Sequence, residues 1–267
     1  MAAGVAAADG LVNLAKLKTH ALTSLTGALK NLYGVIVGPK KAQMHVQFPD
    51  TFSFTKMLAE LNRTIRPRLH IVDAITAMEG NGPMNGQPRH CGWLIVGTDP
   101  VAVDTAGALM MGYDPRALSV ITAAEAAGLG SADPLAIEAI VIEAATGQVA
   151  VPVPLASLAR ELAVPGFVRP QVASSLMTRL TQMGSPILRR YILKRPVIRD
   201  NACTRCGQCV AACPVEPKAL RQETARAVPA YTYARCIRCY CCQEICPAGA
   251  IEVEQPAWLR AWRPQHR

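Results

Sequence analysis

Eight of the ten cysteines in this sequence fall into two runs of identical spacing. Each run reads Cys-x-x-Cys-x-x-Cys-x-x-x-Cys-Pro. The first is Cys203, Cys206, Cys209 and Cys213 before Pro214; the second is Cys236, Cys239, Cys242 and Cys246 before Pro247. Zinc needs four ligands per site and usually takes them as two separated pairs. Three thiolates at every third position, with a fourth further on, suit a cubane [4Fe–4S] cluster instead. So short a loop can wrap one corner of the cubane and turn successive backbone N–H groups toward its sulfurs. The following proline adds no competing donor and fixes the direction in which the chain leaves. Recurrence of the spacing without a change argues against two structural zinc sites.

The runs resemble those of bacterial ferredoxins. In two-cluster ferredoxins the fourth cysteine of each run ligates the other cluster. The expectation is two [4Fe–4S] clusters, one on Cys203, Cys206, Cys209 and Cys246, the other on Cys213, Cys236, Cys239 and Cys242. Arg205 and Arg238 fall inside the two loops, where a cation stabilises the more negative, reduced cluster. Cys241, off the frame, and Cys91, beside His90, read as ordinary thiols.

Composition limits what surrounds these runs. The chain has 267 residues, 51% of them hydrophobic and 18% charged, enough for one ordinary domain plus a small one and too apolar for extended disorder. Cysteines committed to clusters imply a reducing interior, and the apolar start lacks a basic leader region, so a cytoplasmic protein with no transmembrane segment is expected. The net charge of +9 is uneven: residues 1–166 hold 12 Lys and Arg against 13 Asp and Glu, residues 167–267 hold 16 against 6. Two clusters at about −2 each offset part of that basic excess. No recognised nucleic-acid motif accompanies the charge, which argues against nucleic-acid binding.

The remaining elements must position any further site. Residues 11–20 read as a strand on which Lys16, Lys18 and His20 share one face; alone, a solvated lysine face explains them. Residues 21–34 read as a helix carrying Lys30 and Asn31, and a loop with Lys40, Lys41 and His45 follows. Asp50 is an N-cap candidate for a helix with Phe54, Leu58, Leu61 and Ile65 on its apolar face, ended by Pro67. Strands are expected at 68–75, 93–97 and 137–143, with a glycine-rich loop over 79–86. That loop has neither dinucleotide-fingerprint nor Walker spacing. Helices begin at Asp99-Pro100 and Asp114-Pro115. Asp104 lies on an apolar helical stripe, where a carboxylate must be either paired or functional.

Strands alternating with helices argue α/β: a mixed sheet with flanking helices, plus a small α+β two-cluster ferredoxin-like domain. The domain boundaries expected are 1–166 for the α/β part, 167–197 for a basic connector, 198–256 for the cluster domain and 257–267 for a basic tail.

Nearly the whole chain resembles the domain-of-unknown-function 362 family in its ferredoxin-fused form. The resemblance rests on Asn13-Leu14-Ala15-Lys16-Leu17-Lys18-Thr19-His20 and Thr26-Gly27-Ala28-Leu29-Lys30-Asn31-Leu32-Tyr33-Gly34. It continues through His45, Asp73, Glu79-Gly80-Asn81-Gly82-Pro83 and Gly97-Thr98-Asp99-Pro100-Val101-Ala102-Val103-Asp104. It implies an α/β domain with a polar site near the lysines and acids, and no particular reaction. Family members ordinarily carry a further α/β segment before the Lys-x-Lys-Thr-His stretch. This sequence starts just ahead of that stretch, so an N-terminally short chain with an incomplete sheet is expected.

The resemblance joins eight residues into one candidate constellation. Lys18, His20, Lys30 and Asp104 are the candidates for catalysis; Asn31, His45, Asp73 and Glu79 are the candidates for binding a second cofactor or a small anionic substrate. Such a set could bind an anion, relay protons or hold a metal. The functional expectation is a ferredoxin-coupled oxidoreductase with a redox donor or acceptor protein as partner. A non-catalytic electron-transfer or maturation accessory is the alternative, and an interaction module with structural clusters is a third reading.

Overall fold

β1 (Val12–His20) follows a one-turn-and-a-half helix, α1 (Ala3–Ala7), and forms the axis of the N-terminal part. Its alternation is that of a half-buried strand: Asn13, Ala15, Leu17 and Thr19 point into the core, and Val12 and Leu14 point outward. β2 (Ser24–Thr26) folds back on it antiparallel, and β3 (Leu69–Asn81) lies parallel on its other side. β4 (Asn85–Gly97) closes a mixed four-stranded sheet in the order β2-β1-β3-β4. The computed structural model describes residues 1–37, 39–48, 50–83, 85–170 and 194–254.

α2 (Ala28–Asn31) and α5 (Pro100–Met110) pack on one face of the sheet; α4 (Thr51–Ile65) and α6 (Ser119–Ala126) pack on them and on each other, and α3 (Pro39–Gln47) sets Met44 against the same core. α4 starts where Asp50 accepts from the Ser53 amide at 3.0 Å and ends where Arg66 turns left-handed before Pro67. It buries Phe54 and Leu58 completely, roughly 2 kcal/mol apiece. On the opposite face Val12, Leu14, Leu94 and Val96 remain exposed.

The expected mixed sheet with helices is present, but several elements differ. Residues 21–34 do not form one helix: a hairpin strand comes first, and only Ala28–Asn31 is α-helical before a 3-10 turn at Leu32–Val35. The loop expected around Lys40, Lys41 and His45 is α3. The loop expected over 79–86 is mostly strand, because β3 and β4 run on as a long hairpin whose register reaches Asn81 and Asn85. Residues 137–143 supply only β5 (Glu138–Ala139), paired to β6 (Val153–Pro154), before α7 (Ala159–Leu162).

The cysteine-rich part has two short antiparallel pairs. β7 (Arg195–Ile198) pairs with β10 (Ile251–Glu254), and β8 (Leu220–Arg221) with β9 (Ala230–Tyr231). Two four-residue helices, α8 (Gln208–Ala211) and α9 (Cys241–Glu244), occupy matching places in the two runs. Most of the connector, including Arg179, Arg189 and Arg190, and the whole basic tail lie outside the described residues.

Candidate functional site

The two cysteine runs adopt the same backbone. Arg205 (φ 60°) and Arg238 (φ 62°) precede the second cysteine of each run, and Gly207 (φ 72°) and Tyr240 (φ 62°) follow it. Three of these four are not glycine, so the left-handed turns are held by the surroundings. The result turns amides toward sulfur: Arg205 N–H donates to Cys203 Sγ at 3.4 Å and Ala219 N–H to Cys213 Sγ at 3.4 Å.

Cys203, Cys206, Cys209 and Cys246 line one small cavity; Cys213, Cys236, Cys239 and Cys242 line a second. Among the described residues no three His, Cys, Asp or Glu side chains converge as a single metal ion requires. Each cavity draws three cysteines from one run and the fourth from the other, the arrangement of two-cluster ferredoxins. Apolar walls of Ile198 and Ile251, or Leu220 and Tyr240, complete the two cavities.

The cavities differ in their surroundings. Thr204, Arg205 and Cys206 are exposed at the first, whereas Arg238 and Tyr240 are buried at the second. The Tyr231 hydroxyl lies 3.1 Å from Cys242 Sγ, and with Cys242 as thiolate it is the donor. The Cys241 thiol hydrogen-bonds Cys239, holding Cys239 low and pushing its own pKa up.

α9 carries the second run onto the α/β domain. His20, 1% exposed, approaches Glu244 with Nε2 2.9 Å from Oε1. Its Nδ1 accepts from the Leu22 amide at 3.0 Å, so Nε2 bears the hydrogen and donates to the carboxylate. Burial, then the Lys30 charge, lowers His20 to about 4 and keeps it neutral near pH 7. Burial opposes the charge on Glu244, yet the His20 hydrogen bond and the Lys30 ammonium outweigh it and hold Glu244 at about 2. His45 is stacked on Phe54 at 4.6 Å between centroids and is likewise lowered to about 4 by burial. Beside this contact Gln243 Nε2 donates to Asn81 Oδ1 at 3.1 Å. Gly82 lets the tip of the β3–β4 hairpin lie against β1, because a Cβ there would strike the Thr19 carbonyl.

Lys30 sits on α2, a single turn that cannot stand alone. Four side chains fix it. Asp104 accepts from the Ala28 amide at 2.6 Å and the Leu29 amide at 3.0 Å; Asn13 donates to the Ala28 carbonyl at 2.8 Å; Asn62 donates to the Leu29 carbonyl at 2.9 Å; Asn31 donates to Asn13 Oδ1 and the Leu14 carbonyl, both at 2.8 Å. Gly27 leaves room for the Asp104 carboxyl, which burial raises to about 7. Lys30 is 9% exposed, with Nζ 5.9 Å from the Tyr33 ring centroid, and burial lowers its pKa. Lys41 Nζ lies 5.2 Å from the same ring.

The structure therefore divides the eight candidates. His20, Lys30 and His45 gather, with Lys18 within Coulombic range of Lys30. Asp104 and Asn31 belong to the scaffold of α2. Asp73 pairs with Lys16 at the surface, and Glu79 accepts from the Val168 amide at 2.8 Å while facing Arg89 at 3.8 Å. Neither of these last two joins the group. Sequence reasoning missed Glu244, Gln243, Tyr33 and Lys41. A signal for two of them was present: where the first run has the apolar pair Val210-Ala211, the second has the polar pair Gln243-Glu244.

Comparison with known proteins separates the same two parts. Residues 1–109 match the domain of unknown function 362, and residues 195–247 match a 4Fe-4S dicluster domain. The dicluster domain carries two [4Fe–4S] clusters, which makes the chain an iron–sulfur electron carrier. The chain is 41% identical over 123 residues to the thylakoid-associated protein sll1697 of Synechocystis, covering 46% of this chain and 38% of that protein. It is 39% identical to an iron-sulfur polypeptide of the CoB--CoM heterodisulfide reductase of Methanocaldococcus jannaschii, over 24% of this chain and 12% of that protein. The chain thus spans well under half the length of either relative. Among the described residues no helix is long and apolar enough to cross a membrane.

Proposed function

We propose that this chain, a domain of unknown function 362 joined to a 4Fe-4S dicluster domain, is a ferredoxin-linked oxidoreductase. Its electrons reach a substrate or second cofactor at the junction of His20, Lys30, His45 and Glu244. One observation carries the reading: Glu244, inside the second cysteine run, hydrogen-bonds His20 of the α/β domain across 224 residues of sequence. A carrier with no substrate of its own does not require a buried polar group of the other domain against its cluster loop.

In this reading Cys203, Cys206, Cys209 and Cys246 hold the first cluster, and Cys213, Cys236, Cys239 and Cys242 the second. The clusters supply single electrons. The exposed first loop suits exchange with a donor or acceptor protein, and the buried second loop suits delivery inward. The chain's own residues do the rest. Lys30 supplies positive charge, and the neutral His20, whose single N–H is committed to Glu244, holds that carboxylate in a fixed position beside it. Ten cysteines without a disulfide suit a reducing compartment, and we place the protein in the cytoplasm.

The test uses anaerobically reconstituted full-length protein, reduced electrochemically. It should hold eight irons and show two reversible one-electron waves. The low-molecular-mass fraction of a cell extract should reoxidise it, and His20→Ala should slow that reoxidation while leaving the iron content unchanged. Reoxidation by protein acceptors alone would establish the accessory-carrier reading instead.

A further inference from the structure

The Lys30 ammonium is buried without a matching acceptor. Its side chain is only 9% exposed, and among the described residues it has no hydrogen bond and no ion pair. The Tyr33 ring faces it, at the outer limit of a cation–π contact. A buried ammonium without a partner is costly to fold, and four separate side chains hold its one-turn helix in place to keep it there. Further positive charge surrounds it: Lys41 approaches the same aromatic ring, and Lys18 on β1 lies within Coulombic range. Glu244 is the acid nearest in effect, and its Oε1 is engaged by His20.

We propose that this junction binds a small anion through a carboxylate or phosphate group, with the Lys30 ammonium as its anchor and Lys18 and Lys41 beside it. The proposal rests on the junction being the reaction site and names the class of molecule that enters it. An oxyanion supplies the acceptor atoms that Lys30 lacks, while the single N–H of His20 stays on Glu244. Charge-assisted contacts of this kind are the strong ones, and the dry surroundings strengthen them further. A competing account makes Lys30 a counter-charge for the second cluster. That role needs no anion at the junction and predicts only a shifted cluster potential when Lys30 is replaced.

The experiment is a thermal-unfolding and calorimetric titration of the cluster-loaded full chain under anaerobic conditions. Inorganic phosphate is one arm and sodium acetate the other, each against sodium chloride at matched ionic strength, so that general screening cancels. Expected is a saturable rise in the unfolding midpoint with at least one anion; the arm that responds tells phosphate from carboxylate. Lys30→Met should weaken that binding by about ten-fold or more, the cost of one charge-assisted contact. Lys41→Gln, at a partly exposed position, should weaken it less and covers the case in which Lys30→Met fails to fold. The proposal is overturned if neither anion exceeds chloride. It is overturned equally if Lys30→Met retains the full effect, or if that variant only shifts a cluster potential. The reoxidation assay is independent of these outcomes: anion binding without reoxidation keeps the site and removes the enzyme, and reoxidation by an uncharged molecule does the reverse.

Discussion

Two arginines at the same place in a repeat have different physical settings here. Arg238 is buried, stacks on Tyr233 at 5.1 Å and has no hydrogen-bond partner for Nη1 among the described residues, whereas Arg205 is exposed. Water screens the exposed charge and leaves the buried one effective. Arg238→Gln should therefore lower the potential of one voltammetric wave clearly more than Arg205→Gln lowers the other. Tyr231→Phe, which removes the hydroxyl facing Cys242, should move the same wave as Arg238→Gln and in the same direction. Equal shifts for the two arginines would show that burial does not govern the effect. The histidines give a second residue-scale prediction. His20 and His45 have folded pKa values of about 4 against an ordinary 6.5, so the unfolded chain binds more protons between those limits. Their contribution to stability is complete above pH 6.5 and is lost as the pH falls toward 4, by up to roughly 3 kcal/mol per histidine. Denaturant unfolding at pH 7 and pH 5 measures it. His45→Phe should reduce the loss, and an unchanged pH slope in that variant would refute the assignment.

The smallest element, α2, depends on residues far away in sequence. Asp104→Ala leaves the Ala28 and Leu29 amides buried without acceptors and should cost about 2 kcal/mol or more of stability with full iron content. Asp104→Asn keeps one acceptor oxygen and should recover part of it. An Asp104→Asn protein of normal stability that no longer reoxidises would return Asp104 to the reaction itself. The same element shows what the sequence made legible and what it did not. The cysteine frame, the Asp50 cap and the alternation of β1 are local patterns, each readable within a dozen residues. α2 is not local: propensity suggested a helix over 21–34, but the β1–β2 hairpin took the first residues, and Asp104 defines where the remaining turn starts. A carboxylate on an apolar stripe marked Asp104 as engaged, and only the fold reveals that it caps another helix. Glu244 was illegible for the related reason that its partner lies across the domain junction. Asp73 and Glu79 looked like site acids beside lysines and glycines, but the pleat and the β3–β4 hairpin turn them elsewhere.

At the scale of the whole molecule, the two parts meet through α9, which lies within the second cysteine run and bears Gln243 and Glu244 on Asn81 and His20. Removing iron with a chelator should therefore loosen more than the cysteine-rich part. Hydrogen exchange should speed up in α9 and also around residues 20–26 and α3, while α4 and α5 keep their protection. Unchanged exchange at residues 20–26 would show that the contact stands without the clusters. The four-residue length of α9 gives this contact a meaning in the life of the protein. Were the contact to loosen without iron, a newly made chain would have its charged lysine and buried histidines but not the carboxylate that closes them in. Competence would then arrive together with iron, and the supply of that metal would set how many working copies a cell holds, however many chains it has made.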